Sequence, residues 1–321
     1  MSLTQEQLDL RIGGITGTDI AAICGVHPYK SAIDVYCEKL GLTEPKRETA
    51  AMRLGTRMEA IVAEEYEKET GLHLQKVATL IHHENEWLRG SPDRITVEGR
   101  KVVELKTAGF HQKENWGPPG TDVVPVHYLL QCAWYLALLG YSECDLALMP
   151  LGGWTPEEGA DKLVYIYPIA RDMALEQTLL AKGKFFWEEH IKKETPPALD
   201  GSDSSTEYLK KRYSQTEDIM LPSTFETEEL YRLYGEAHQR LSAAEVEAST
   251  YANRIKNIIG NASGIAGRDW RVTWKQNKEG LKTDWKQVAF EANAPQCLID
   301  KHTENKPGVR VFRAPGLRKA E

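Results

Sequence analysis

The segment SPDRITVEGRKVVELKTAG, residues 91–109, contains the side chains with the clearest capacity for chemistry. Asp93 follows a Ser-Pro turn at the start of one strand-like run, and Glu104 and Lys106 lie two residues apart on the next. Because the side chains of a strand alternate between its two faces, Glu104 and Lys106 share one face. A hairpin turned at residues 98–100 would bring Asp93 near Glu104 across the ladder.

Two carboxylates beside an ammonium group form a hard-oxygen site of the kind that binds Mg²⁺ or Mn²⁺. Such a site suits phosphodiester hydrolysis, which needs neutralised phosphate oxygens, a deprotonated water and a stabilised leaving alkoxide. Lys106 would either orient or deprotonate the water, provided that nearby charges lower its pKa, or stabilise the transition-state anion. The competing interpretation is an ordinary half-exposed strand whose charges face water.

The elements before this segment are predicted to be helices. A hydroxyl residue followed three positions later by an acid occurs at Thr16 and Asp19 and again at Ser31 and Asp34, which is the capping-box pattern of helix starts. A longer amphipathic helix is expected over residues 49–70.

The chain then alternates between strand-like and helical patterns. VATLIHH reads as a strand, DRITV and KVVELKTA as a hairpin, residues 124–139 as a helix, CDLALMP and KLVYIYPIA as strands, and residues 171–193 as a helix. Helices that flank a central mixed β-sheet form an α/β (α+β) core, which we place in residues 1–200.

Residues 201–321 are predicted to be a C-terminal extension, with a long helical arm and short strands. Residues 195–223 are rich in Pro, Ser and Gly and read as a linker or a surface excursion. A helix over about 226–261 and strands around WRVTWKQ and VRVFRA are expected to follow. Residues 250–321 carry 14 Lys and Arg against 7 Asp and Glu. This basic balance suggests contact with DNA, another subunit or a partner, and a solvated structural arm is the alternative.

The composition excludes several classes of protein. A chain of 321 residues with 41% hydrophobic content can bury a large core, and no apolar run is long enough to span a bilayer. The first residues lack the pattern of a signal peptide, so we expect a cytoplasmic protein. Five dispersed cysteines argue against a disulfide framework or a zinc knuckle, and a net charge of −7 argues against general coating of DNA.

From about Arg11 to Lys193, the chain resembles the PD-(D/E)xK nuclease superfamily, and within it the lambda exonuclease and YqaJ-type viral recombinase family. RIGGITGT and SPD resemble the segments that bind a terminal 5′ phosphate, which implies this role for Arg11, Thr18 and Ser91. A guanidinium can grip phosphate with two hydrogen bonds. Taken alone, Thr18 would be a helix cap and Arg11 a surface arginine.

The same resemblance implies three further site residues. LGTRMEAIVAEEYE resembles the helix whose glutamate reaches the metal, here Glu59, and HYLLQCAWYLALLG resembles the helix whose glutamine lies by the catalytic water, here Gln131. The backbone carbonyl of Leu105 would be the remaining metal ligand. The alternatives are a solvated Glu59 and a Gln131 that bonds to backbone.

The resemblance implies a restriction-endonuclease-like core and a Mg²⁺-dependent 5′ to 3′ exonuclease on double-stranded DNA, with one or two Mg²⁺ or Mn²⁺ ions. It further implies a ring-shaped homotrimer, a single-strand annealing protein as partner, and a phage or prophage protein in the bacterial cytoplasm that serves recombination. A structure-specific or restriction-like endonuclease on the same core, and a non-catalytic DNA-end-binding phage protein, are the alternative functions.

Overall fold

A computed structural model describes residues 5–43, 49–97, 100–157, 161–268, 270–276 and 284–303 of the chain. The chain divides into two compact units, Met1–Lys211 and Arg212–Glu321. The hairpin-turn residues Glu98 and Gly99 and the predicted strand VRVFRA lie outside the described residues.

Helices and strands alternate in the first unit much as the sequence predicts. Its helices are α1 (Gln5–Ile12), α2 (Gly17–Ile23), α3 (Ala32–Lys39), α4 (Ala50–Thr70), α5 (Val126–Leu139), α6 (Met173–Phe185) and α7 (Asp203–Arg212). Its strands are β1 (Leu74–Gln75), β2 (Leu80–Ile81), β3 (Arg89–Gly90), β4 (Arg94–Thr96), β5 (Lys101–Gly109), β6 (Glu143–Leu151) and β7 (Tyr165–Ala170).

A five-stranded mixed sheet in the order β1-β4-β5-β6-β7 forms the centre of the first unit. Strands β5 and β6 are parallel, with Glu104 opposite Leu146, and the other neighbours are antiparallel. The predicted hairpin is present, because β4 pairs with β5 through Arg94 opposite Val103. This sheet with its flanking helices confirms the predicted mixed α/β architecture.

The two faces of β5 are covered by different helices, which follows from the period of two in its side chains. Val102 belongs to the larger core cluster together with residues of α5, whereas Val103 and Leu105 pack with Val62 and Tyr66 of α4. Strand β5 is therefore buried on both faces, so its charged residues cannot simply face water.

The predicted strand over VATLIHH is shorter than expected. Only Leu80–Ile81 is strand, and it pairs with Arg89–Gly90 in a separate two-stranded sheet. The edge of β4 is already taken by Leu74–Gln75, which leaves no place for residues 77–83 in the central sheet.

The prediction of a linker over residues 195–223 is wrong where the chain forms helix α7. This helix begins at Asp203 and lies in the first unit up to Lys211. Its start is held by Asp200, whose Oδ1 accepts hydrogen bonds from the hydroxyls of Ser202 at 2.5 Å and Ser205 at 2.7 Å. Ser204 also donates to Asp34 of α3 at 2.8 Å. Ser and Asp here cap a helix. Because α7 belongs to the first unit up to Lys211, the boundary between the two units lies later than residue 200.

The second unit contains α8 (Phe225–Ile259), β8 (Gly264–Ala266), β9 (Arg271–Thr273), α9 (Trp285–Glu291) and α10 (Gln296–Lys301). The long helix begins at the cap residue Thr224, and its 35 residues agree with the predicted arm. Strands β8 and β9 form an antiparallel pair with Ile265 opposite Val272.

Candidate active site

Glu104 is the most deeply buried charged side chain of the predicted constellation, with 1% of its surface exposed. It lies on the face of β5 that packs against α5. Its Oε1 accepts hydrogen bonds from Lys106 Nζ at 2.5 Å and from Gln131 Nε2 at 2.6 Å. Strand β5 and helix α5 thus bring together three residues that the sequence analysis assigned to the site.

The second oxygen of Glu104, Oε2, is buried and has no hydrogen-bond partner among the described residues. Buried carboxylate oxygens nearly always have a partner, because leaving one unpaired costs free energy. An unpaired oxygen beside a second carboxylate is the feature expected of a cation ligand. The donor set therefore fits a hard divalent cation.

Asp93 reaches the same place from the start of β4. Its Oδ2 accepts a hydrogen bond from the backbone N–H of Leu105 at 2.9 Å. In a strand, the N–H and C=O of one residue point to the same side. The carbonyl of Leu105 therefore points to the edge on which Asp93 lies, as a ligand role would require.

Glu59 lies on α4, which packs on the opposite face of β5 through Val62 and Ala63. Its half-buried position raises its pKa, and the negative charge of Asp93 raises it further. Glu59 is thus within electrostatic reach of Asp93. Within the described part of the chain, no three acidic, imidazole or thiol groups stand close enough to enclose an ion.

The charges of the site shift two pKa values in the same direction. Burial, and then the charge of Asp93, raises the pKa of Glu104 to about 7. Burial alone would lower the pKa of Lys106, but Glu104 and Asp93 outweigh it and raise that pKa above its ordinary value. Lys106 is therefore a fixed cation in this arrangement, which favours the electrostatic role over the proton acceptor. Its ammonium also lies 4.9 Å from the ring centroid of Tyr128.

A row of hydrogen bonds links Gln131 to Ser91. Gln131 Nε2 donates to the hydroxyl of Tyr135 at 3.0 Å, and that hydroxyl donates to the carbonyl of Ser91 at 3.2 Å. The hydroxyl of Ser91 pairs with that of Thr79 at 3.0 Å. Two residues, Tyr135 and Gln131, therefore connect Ser91 to the carboxylate of Glu104.

Thr18 is positioned by the glycine-rich segment before it. The N–H of Ile15 donates to the carbonyl of Trp87 at 2.6 Å, so this segment runs along the chain that leads to Ser91. A Cβ at Gly14 would lie 2.5 Å from that carbonyl, and a Cβ at Gly17 would lie 3.0 Å from Gln131 Cγ. Helix α2 therefore begins with Gly17 beside Gln131, and the half-buried Thr18 is its second residue. The cap of this helix is Thr16, so the alternative reading of Thr18 as a helix cap is wrong.

Arg11 is connected to this region less directly than Thr18 and Ser91. Its carbonyl accepts a hydrogen bond from Lys39 Nζ at 2.6 Å, and Lys39 also pairs with buried Asp19 at 2.7 Å. The structure thus brings Asp93, Glu104, Leu105, Lys106 and Gln131 together and connects Ser91 to them through Tyr135. Arg11 contacts Lys39 through its backbone carbonyl, and Glu59 lies on α4 across β5.

The sequence analysis missed Tyr135, which is the link between Gln131 and Ser91. A signal was present, because residues four apart on a helix lie on one face and Tyr135 follows Gln131 at that spacing. It also treated Asp19 only as a cap, although Asp19 is the centre of a buried ion cluster with Lys30 and Lys39.

Comparison with known proteins shows which family this chain is similar to. Residues 6–142 match the YqaJ-like viral recombinase domain family. The protein YqaJ of Bacillus subtilis (strain 168) is 29% identical over 276 residues, which cover 84% of this chain and 82% of that protein. The chain is therefore similar to the YqaJ-like viral recombinase domain family over residues 6–142, a range that includes Asp93, Glu104 and Gln131.

Solved structures with a related arrangement include the alkaline exonuclease LHK-Exo of Laribacter hongkongensis, at 22% identity and a TM-score of 0.47 over 66% of this chain and 98% of that chain. A phage-related exonuclease of Haemophilus somnus 129PT has 13% identity and a TM-score of 0.40, covering 58% of this chain and 99% of that one. Separately, no helix within the described residues is long and apolar enough to cross a membrane.

Proposed function

We propose that this protein is a metal-dependent 5′ to 3′ exonuclease that degrades one strand of duplex DNA from a 5′-phosphorylated end. The observation that carries the proposal is the buried Glu104, whose Oε1 is held by Lys106 and Gln131 while its Oε2 has no partner in the described residues. A buried carboxylate of this kind, facing Asp93, costs stability unless a ligand completes it.

Asp93, Glu104, the carbonyl of Leu105 and Glu59 would hold one or two Mg²⁺ or Mn²⁺ ions. The ion would polarise the phosphate and lower the pKa of the attacking water. Lys106 supplies a fixed positive charge that neutralises the charge developing on the phosphate. Gln131 orients the water through its side-chain amide, and Tyr135 holds the rotamer of Gln131.

Arg11, Thr18 and Ser91 would hold the new 5′ phosphate after each cleavage. The continuous contacts from Ser91 through Tyr135 and Gln131 to Glu104 support a phosphate pocket next to the reacting groups. Release of one nucleotide would then leave the next 5′ phosphate in position for binding, which gives a direction to the reaction. The product would be a duplex with a 3′ single-stranded overhang.

The family described as a viral recombinase supports a role in recombination. A 3′ overhang is the substrate that a single-strand annealing protein needs, so we include such a protein as partner. By resemblance we also include a ring-shaped homotrimer around the DNA, in the cytoplasm of a bacterial host.

The test uses linear duplexes labelled at either end and covalently closed circular DNA, each incubated with Mg²⁺. We expect loss of label from the 5′-phosphorylated strand, survival of the complementary strand and intact circles. Cutting of the circles would instead identify an endonuclease, and binding of ends without degradation would identify a non-catalytic protein.

A matched pair of variants on α4 tests the site itself. Glu59→Gln should lower the rate, whereas Glu64→Gln, on the exposed side of the same helix, should not. Equal rates for the two variants would remove Glu59 from the metal site.

A further inference from the structure

Helix α8 exposes an apolar stripe that repeats with a period of 3.5 residues. From Leu230 to Ile258, apolar residues follow one another at alternating steps of four and three, without interruption over nine positions. All but Ile255, which is half-buried, are exposed. An apolar stripe of this period, sustained over four heptads, is the pattern of a helix that supercoils around another helix.

A helix of 35 residues is about 50 Å long, and most helices of this kind depend on packing of their apolar face for stability. The exposed stripe is therefore a surface on which a second helix would pack. The order of its residues indicates which partner, because the stripe reads almost the same from either end. Leucine or isoleucine comes first, then tyrosine, then alanine, and Leu241 and Ala244 form the middle.

We propose that α8 pairs with α8 of a second copy of this chain, with the two helices antiparallel. In this register Leu230 faces Ile255 of the second copy, Tyr234 faces Tyr251, Ala237 faces Ala248 and Leu241 faces Ala244. Every contact then occurs twice, as in any two-fold interface. Parallel pairing would place each residue against its own copy, so three layers would hold alanine alone.

The charges beside the stripe agree with the antiparallel register. Arg240 and Glu247 flank the stripe on the same side, and the register sets Arg240 of one helix beside Glu247 of the other, in two equivalent pairs. His238 and Glu245 meet in the same way on the other side. Charged residues at these flanking positions commonly determine the partner and the orientation of paired helices.

Cysteine cross-linking in the full-length chain tests the pairing and its direction. Ala237→Cys and Ala248→Cys are made separately in a Cys297→Ser background, because Cys297 is exposed. We expect little disulfide-linked dimer from either variant alone and abundant dimer from their mixture after mild oxidation. Dimer formed by each variant alone would show parallel helices and overturn the proposal, as would no dimer above the background protein.

A second measurement tests association without oxidation. Leu241→Glu places a carboxylate in the central layer, and Val246→Glu places one on the same helix outside the stripe; both positions are exposed in the single chain. We expect Leu241→Glu to weaken self-association by at least about tenfold in light scattering, because burying an unpaired charge is unfavourable. Val246→Glu should associate like the unmodified chain. Equal association of the two variants, with equal helix content by circular dichroism, would overturn the proposal.

Discussion

Asp19 and Glu104 are two of the buried acids of the first unit, and their surroundings differ in one decisive respect. Asp19 is 3% exposed and Glu104 is 1% exposed. Both oxygens of Asp19 have partners, since Lys30 binds Oδ1 at 2.9 Å while Lys39 and Thr16 bind Oδ2 at 2.7 and 2.8 Å. Only one oxygen of Glu104 has a partner among the described residues.

The pKa values of the two acids shift in opposite directions for this reason. Burial would raise the pKa of Asp19, but Lys39 and Lys30 outweigh it and hold that pKa well below its ordinary value. Burial, and then the charge of Asp93, raises the pKa of Glu104 to about 7 against the lowering effect of Lys106. Asp19 is thus one carboxylate between two ammonium groups, whereas Glu104 and Asp93 are two carboxylates beside the single ammonium of Lys106. A structural role fits the first and a cation site the second.

The largest expected effect is the loss of DNA degradation in Glu104→Gln. The amide keeps the size of the side chain but removes the negative charge that would bind the cation, so the rate should fall about ten-thousandfold, or about 5.5 kcal/mol in activation free energy. Single-turnover degradation of a labelled duplex in Mg²⁺ measures this. The melting temperature should fall by no more than a few degrees, and a rate close to that of the unmodified protein would contradict the assigned site.

Asp19→Asn should show the reverse pattern, with a loss of stability as the primary effect. It leaves Lys39, with 5% of its side chain exposed, without its charged partner, and Lys30, with 15% exposed, with Glu38 alone. Removing one member of a buried ion cluster costs about 3 to 5 kcal/mol. Urea denaturation measures the free energy of unfolding, and Asp122→Asn, at an exposed position, should change it by less than about 0.5 kcal/mol.

The dependence on pH sharpens this second prediction. Because the folded pKa of Asp19 lies below its unfolded value, the carboxylate contributes stability that is fully present above about pH 4. That contribution is lost as the pH falls through the folded pKa. The free energy of unfolding of the unmodified chain should therefore fall more steeply in acid than that of Asp19→Asn, and parallel curves would contradict the assignment.

The two clusters should also differ in their response to metal, and the change in stability is smaller than in the two preceding substitutions. Mg²⁺ at about one hundred times its dissociation constant would stabilise the folded chain by about 2.7 kcal/mol. We expect a rise in melting temperature with Mg²⁺ or Mn²⁺ that EDTA reverses and that Glu104→Gln abolishes. Glu64→Gln should retain the rise. A rise of equal size in Glu104→Gln would place the bound ion elsewhere.

Local patterns were sufficient to predict most helices and strands of the first unit and the proximity of Asp93, Glu104 and Lys106. The alternation around Glu104 and Lys106 predicts their common face, and α4 begins and ends where its amphipathic pattern and Gly71 indicate. Contacts between distant segments could not be predicted in this way. The start of α7 depends on Asp34, far away in the sequence, and Asp19 becomes an ion-cluster centre only when α3 brings Lys39 to it.

Tyr135 is the site residue that depends most on such distant contacts, and it gives the smallest predicted effect. Its hydroxyl joins Gln131 to the carbonyl of Ser91, at 3.0 and 3.2 Å. Tyr135→Phe removes this link without changing the packing of the ring, so stability should fall by about 1 kcal/mol. Since Gln131 then loses one of the two bonds that fix its rotamer, the hydrolysis rate should fall about threefold to tenfold. Tyr141→Phe, on the loop after α5, is the matched control and should leave the rate unchanged. If Tyr135→Phe also leaves it unchanged, Glu104 alone is sufficient to orient Gln131, and the bond network to Ser91 contributes to folding instead of to the reaction.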